Sequence, residues 1–212
     1  SYLGEMANII TTTFSAVEVP AFRNEPYIKS DYENLTKVQF ELASVDLPSY
    51  SQEITPTYQN LSRKLMEQSD FGVPITNYTF ADKLVKRLIE GAATESDKFK
   101  SIYSYVTNKI IWNGQEDYTT SKSLKKVISD GKGNSADLNL LLISLLRNAK
   151  FRADPVILST RSNGSLNQYS AIISQFNYVV ALVRIDGKDY LVDATDPLRP
   201  FDLLPEECLN GS

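Results

Sequence analysis

Apolar positions recur at helical spacing through the middle of the chain and then switch to strict alternation, and that switch organises the sequence. The densest pattern follows Gly131-Lys132-Gly133. Leu138, Leu141, Leu142, Leu145 and Ala149 recur every three or four residues, and Leu140, Ile143 and Leu146 widen the stripe until most of the helix is apolar. Such a helix belongs inside a core, packed on several sides. The two glycines form a tight loop, and Asn134 or Ser135 supplies the N-cap oxygen. A buried helix that starts in a glycine loop presents free N–H groups and a positive dipole end at its first turn, and Ser135 sits there.

Other helices precede this one. Tyr58, Leu61, Leu65 and Met66 share a face, with Thr55-Pro56 as the start signal. Phe80, Leu84, Val85, Leu88 and Ile89 share another, closed by Gly91. Thr94 and Asp97 resemble a capping box that opens a helix bearing Phe99, Ile102, Tyr103, Val106 and Ile110. A polar loop follows Trp112-Asn113-Gly114, and then a short helix around Leu124, Val127 and Ile128.

After the central helix the period becomes two. Residues 155–160, 176–185 and 189–194 read as strands, the last two joined around Asp186-Gly187, a hairpin signal. Helices followed by an antiparallel sheet predict an α+β domain, with a buried central helix packed on the sheet. Near the start, Val38, Phe40 and Leu42 alternate with Lys37, Gln39 and Glu41, which predicts a strand over about 36–44. Proline at 20 and 26 marks an extended connector, and Pro48 to Gln52 reads as a linker. The expected division is residues 1–50, a linker or the tail of an upstream unit, and a domain over 51–212.

Composition narrows the chemistry. The 212 residues contain no histidine and one cysteine, Cys208, so no Ser–His or Cys–His pair can form within this chain. Zinc sites built on His and Cys are excluded with them. A helix dipole contributes only about 0.3–2 kcal/mol to an adjacent charge, too little to ionise Ser135. A net charge of −4 argues against nucleic acid as a partner. No apolar run reaches membrane-spanning length. No secretory signal is visible and no initiator Met opens the chain, so a fragment or processed product is expected.

Three motifs carry a family resemblance. Gly131-Lys132-Gly133-Asn134-Ser135-Ala136-Asp137 resembles the Gly-x-Gly-x-Cys-x-Asp motif of transglutaminase-like domains, relatives of the papain-type cysteine proteases, with Ser135 at the nucleophile position. Phe176-Asn177-Tyr178 resembles the strand that carries their histidine, with Tyr178 in its place. Tyr190-Leu191-Val192-Asp193-Ala194-Thr195 matches the strand that carries their aspartate, at Asp193. The resemblance runs from about Asp97 to Cys208. It implies a transglutaminase-like core with a degenerate triad, Ser135, Tyr178 and Asp193. It also implies a cleft bordered by Trp112, Asn134, Asp137 and Asn177, with neither metal nor cofactor. The chain further resembles a Bacteroidetes-type subgroup through Ser159-Thr160-Arg161-Ser162-Asn163-Gly164 and residues 204–210. That likeness implies an exported protein of the periplasm or cell envelope, with a β-rich domain upstream.

Two function classes stay open at this point. One is a non-catalytic binding or scaffold module with a protein, peptide or glycan ligand. The other is a hydrolase or transferase acting on peptides or cell-wall glycans through a non-standard site, with Ser135 assisted by Tyr178 or with Asp137 and Asp193 as paired carboxylates. An upstream domain carrying the activity is a third reading. Read blandly, Ser135 is a first-turn residue, Tyr178 a packed strand residue and Asp193 an acceptor for backbone N–H groups. Phosphate binding at the glycine loop lacks Walker spacing, and Asp186, Asp189, Asp193 and Asp196 resemble a calcium site in composition alone.

Overall fold

The computed structural model describes residues 11–21, 44–47, 50–53, 57–166 and 171–210. The strand expected over 36–44 lies almost wholly outside these residues. Ser44–Leu47 (β1) and Tyr50–Glu53 (β2) pair antiparallel, so Tyr50 to Gln52 form a strand and not a linker. The expected boundary at 50/51 falls inside this hairpin.

Four helices lead up to the centre. Tyr58–Glu67 (α1) is capped by the Thr57 hydroxyl, which accepts from Asn60 N–H. Gly72–Thr76 (α2) is a single turn that periodicity does not reveal. Asp82–Leu88 (α3) is shorter than its apolar pattern, since Phe80 falls in a preceding 3-10 turn. Glu95–Lys109 (α4) starts with the expected Thr94–Asp97 capping box. Ile111–Trp112 (β3) then pairs in parallel with Lys132–Gly133 (β4), on either side of Leu124–Asp130 (α5).

Ser135–Asn148 (α6) is the centre of the domain, and every residue from Ser135 to Leu146 is buried. It packs against α2, α4, α5 and a three-stranded sheet. The sheet comprises Ala153–Leu158 (β5), Tyr178–Ile185 (β6) and Lys188–Val192 (β7), antiparallel throughout in the order β5-β6-β7. Val179, Ala181, Val183 and Ile185 of β6 join Leu138, Leu141, Leu142 and Leu145 of α6 in one core with Phe99, Ile102 and Val106 of α4. Burying each such leucine is worth about 1.5–3 kcal/mol over leaving it exposed. β6 reads as a nearly continuous apolar run because it is the central strand. Pro155 is tolerated because β5 is an edge strand.

Against expectation β5 is shifted two residues earlier, to 153–158, β6 loses its first two residues, and β7 runs over 188–192, one residue earlier at its start and two at its end. The β6–β7 turn matches the Asp-Gly signal: Asp186 and Gly187 both have positive φ, at 49° and 81°. A two-residue turn of that kind matches the twist of the strands it joins.

Candidate functional site

The glycine loop makes sense atom by atom. Gly131 closes α5 at φ 65°, the left-handed conformation that favours glycine. Gly133 serves a different need. A Cβ there would lie 2.5 Å from the Cβ of Asp137, so the missing side chain leaves room for that carboxylate. Asn134, not Ser135, is the N-cap. Its side-chain oxygen accepts from Asp137 N–H at 2.7 Å, and the Asp137 carboxylate accepts from Asn134 N–H at 2.9 Å.

Loop 113–121 is fastened onto this helix start. Ser135 N–H donates to the Gln115 carbonyl at 3.0 Å. The Ser135 hydroxyl donates to the Asp117 carbonyl and accepts from Asp117 N–H, both at 2.9 Å. Asn134 donates its amide to the Thr119 carbonyl at 3.0 Å. Ser121 donates its N–H and hydroxyl to the Asp137 carboxylate at 3.0 and 2.5 Å. Trp112, at the rim, donates its indole N–H to the Gln115 carbonyl at 3.0 Å. The dipole end of α6 therefore faces its own chain. Ser135 and Asp137 are 0% exposed, and Asn134 is 4% exposed.

A second network surrounds Asp193, which is 2% exposed. One carboxylate oxygen accepts from Asn139 Nδ2 at 2.8 Å and from the Tyr178 hydroxyl at 2.9 Å. The other accepts from Thr195 N–H at 3.1 Å, from the Thr195 hydroxyl and from Arg199 Nη1 at 3.3 Å. Asn139 completes the clamp, its oxygen accepting from Ala194 N–H at 2.8 Å. A buried charge is tolerable when it is saturated with donors in this way. Burial, reinforced by the Asp193 charge, pushes the Tyr178 phenol far above its ordinary value, so the hydroxyl stays protonated and donates. It cannot serve as a general base near neutral pH.

Tyr178 and Asp193 are thus brought together. Among the described residues no hydrogen bond joins either to Ser135, whose hydroxyl is committed to Asp117. Asp137 and Asp193 are each buried and saturated by their own donors. Asn177 belongs to a third cluster. Its oxygen accepts from Thr160 N–H at 2.8 Å, and its amide donates to Glu116 Oε2 at 2.9 Å and to Thr160 Oγ1 at 2.7 Å. Asp186 sits at the hairpin turn, Asp189 beside Arg184 and Asp196 beside Arg199. The single thiol, Cys208, is half-buried; burial first, then the charges of Asp193, Glu116 and Glu207, push it up to about 12. It is therefore a protonated thiol and not a ready nucleophile.

Sequence reasoning missed Glu116, Asp117, Asn139, Thr195 and Arg199. Only Asn139 left a signal, as a polar residue in an otherwise apolar helix. A separate groove of about 570 Å³ lies between α1 and β5, lined by Leu61, Leu65, Met66, Phe71, Pro155 and Phe176 among others, and no triad position borders it.

A buried helix started by a glycine motif packs on an antiparallel sheet, with Tyr178 at the start of β6 bonded to Asp193 just past the end of β7. The family model of the transglutaminase-like superfamily matches residues 82–194, and the chain belongs to that superfamily. Among solved structures, a provisionally assigned protease from Parabacteroides distasonis ATCC 8503 is similar at 16% identity and TM-score 0.49, over 66% of this chain and 26% of that one. A provisionally assigned cysteine protease from Cytophaga hutchinsonii is similar at 16% identity and TM-score 0.44, over 63% of this chain and 41% of that one. A transglutaminase structure is similar at 15% identity and TM-score 0.39, over 70% and 40%. The chain thus spans between a quarter and two-fifths of the length of these proteins. No curated protein matches the sequence.

Proposed function

We propose that this domain is a non-catalytic transglutaminase-like module that binds a protein, peptide or glycan as part of an exported bacterial protein. The observation that carries the reading is the state of Ser135. Its hydroxyl is buried, donates to and accepts from the backbone of Asp117, and among the described residues bonds to no side-chain base. Its own N–H, a candidate for polarising a substrate carbonyl, is held by Gln115. Thiol–imidazole chemistry needs a depressed thiol pKa and a partner that titrates near neutrality. Here the nearest analogues are an alcohol and a phenol whose pKa is raised. In this reading the segment up to and including the β1–β2 hairpin is the tail of an upstream β-rich domain or a linker, and the protein works in the periplasm or cell envelope.

The test is amine incorporation into a glutamine donor, and peptide hydrolysis, by the unmodified chain and by Ser135→Ala. Both are expected at background. Turnover that disappears in the alanine variant would replace this reading with that of a hydrolase or transferase acting at Ser135. A binding screen against peptides and cell-wall glycans then addresses the ligand class.

A further inference from the structure

Residues 205–210 are tied by polar contacts to the Ser159–Gly164 loop. Arg161 N–H donates to the Glu207 carbonyl at 2.8 Å. Asn210 Nδ2 donates towards three carbonyls, of Gly164 at 2.7 Å, Thr160 at 3.2 Å and Ser159 at 3.4 Å. An ion pair joins Arg161 to Glu206 at 3.0 Å, with both side chains largely exposed. The loop beneath is tied to the site, since Thr160 N–H donates to Asn177, the neighbour of Tyr178. Cys208 lies within this segment and is half-buried.

Two features make this attachment weak. Pro205 is the only buried residue of the segment, while Glu206, Glu207 and Leu209 are exposed. Exposed ion pairs contribute little, and hydrogen bonds that water can replace have small net worth. Asn210 is also mismatched to its seat. Two amide hydrogens serve three carbonyls, so the longest of the three contacts, to Ser159, is weak.

We infer that Pro205–Asn210 is a strap that lifts by local opening, uncovering the Ser159–Gly164 loop and the Thr160–Asn177–Glu116 cluster tied to it while the core stays folded. Asn210 is its latch. A ligand of this face and the seated strap exclude one another, so strap opening gates access to that loop. No turnover is involved, so the strap stands or falls separately from the absence of catalysis.

Cys208 is the one thiol in the chain and reports the opening directly. Its alkylation rate is measured in the unmodified protein, Asn210→Ala and Asn210→Asp, between zero urea and the foot of the unfolding transition. In the unmodified protein the rate is expected to be nearly independent of urea there, as local opening exposes little surface. Asn210→Ala is expected to label about tenfold faster while its labelling stays nearly independent of urea, the factor set by about 1.4 kcal/mol of lost hydrogen bonding, which also lowers the unfolding midpoint by about 0.5–0.7 M. Asn210→Asp, which sets a carboxylate against three carbonyls, is expected to label faster still. Labelling that climbs with urea along the global unfolding slope, or variants that label at the unmodified rate, would overturn the strap.

Discussion

Asp193→Asn is the sharpest test of how the site is held together. The carboxylate takes five donors, and an amide of the same shape keeps one acceptor oxygen and adds two donors. If the new NH2 replaces the oxygen facing Asn139 and Tyr178, two amide NH2 groups confront one another. Asn139 cannot turn round to accept, because its own oxygen holds Ala194 N–H. If the NH2 takes the other position, it faces Thr195 N–H and the Arg199 guanidinium. The hydroxyls of Tyr178 and Thr195 can rotate to accept, but the N–H groups cannot. Either arrangement strands a buried donor, costing about 1–3 kcal/mol. Arg199 also loses a charge partner; breaking a fully buried pair costs about 3–5 kcal/mol. Since the Arg199 side chain is 25% exposed and keeps Asp196, its loss falls below that range, at about 1 kcal/mol. The expected total is about 3 kcal/mol. With a urea slope of about 2–3 kcal/mol/M, the unfolding midpoint falls by about 1–1.5 M. Tyr178→Phe is the control. It removes one donor and leaves Asp193 four, so about 1 kcal/mol is expected. Urea denaturation followed by circular dichroism measures both. An Asp193→Asn midpoint equal to that of Tyr178→Phe would refute the idea that Asp193 organises the network.

Gly133→Ala should destabilise the domain by about 1–3 kcal/mol through overpacking against Asp137, read by the same denaturation experiment. Ser135→Cys in a Cys208→Ser background should yield a thiol that resists alkylation in the folded state and supports no amine incorporation, because the position is 0% exposed and its N–H is already used; mass spectrometry of the labelled protein checks it. Stability should fall at alkaline pH. Burial and the Asp193 charge hold the Tyr103 phenol up at about 12, and burial holds Cys208 up at about 12. The folded state keeps protons that the unfolded chain releases, so this stability is full below the ordinary thiol and phenol values of about 8.5 and 10 and is lost as pH rises toward the folded values. Cys208→Ser should delay the onset, as seen in urea midpoints measured from neutral to alkaline pH. Asp130 behaves oppositely: hydrogen bonds from Lys126 and Lys122 lower its carboxyl to about 2, so its contribution is present above the ordinary carboxylate value and fades as pH falls, an effect that salt should screen.

Much of the framework was legible in the sequence because it is local. The apolar stripe of α6, the Thr94–Asp97 capping box and the Asp186-Gly187 turn are each decided by residues within a few positions of one another. Their geometry follows from periodicity and backbone preference. The motif around Ser135 and the pairing of Tyr178 with Asp193 were legible through the family resemblance. Short elements were not, since α2 is five residues long and holds Pro74, too little for a period to register. Tyr50 to Gln52 were misread as linker because Pro48 and two serines dominate the local signal, whereas the pairing with Ser44–Leu47 is what makes them a strand. The engagement of Ser135 was decided by tertiary structure alone. Asp117 lies 18 positions away and Asn139 reaches Asp193 across 54. Contacts at such separations leave no repeat in the sequence; they arise when packing of α6 on the sheet brings loop 113–121 and Asp193 to its buried polar residues, which must find partners once water is excluded.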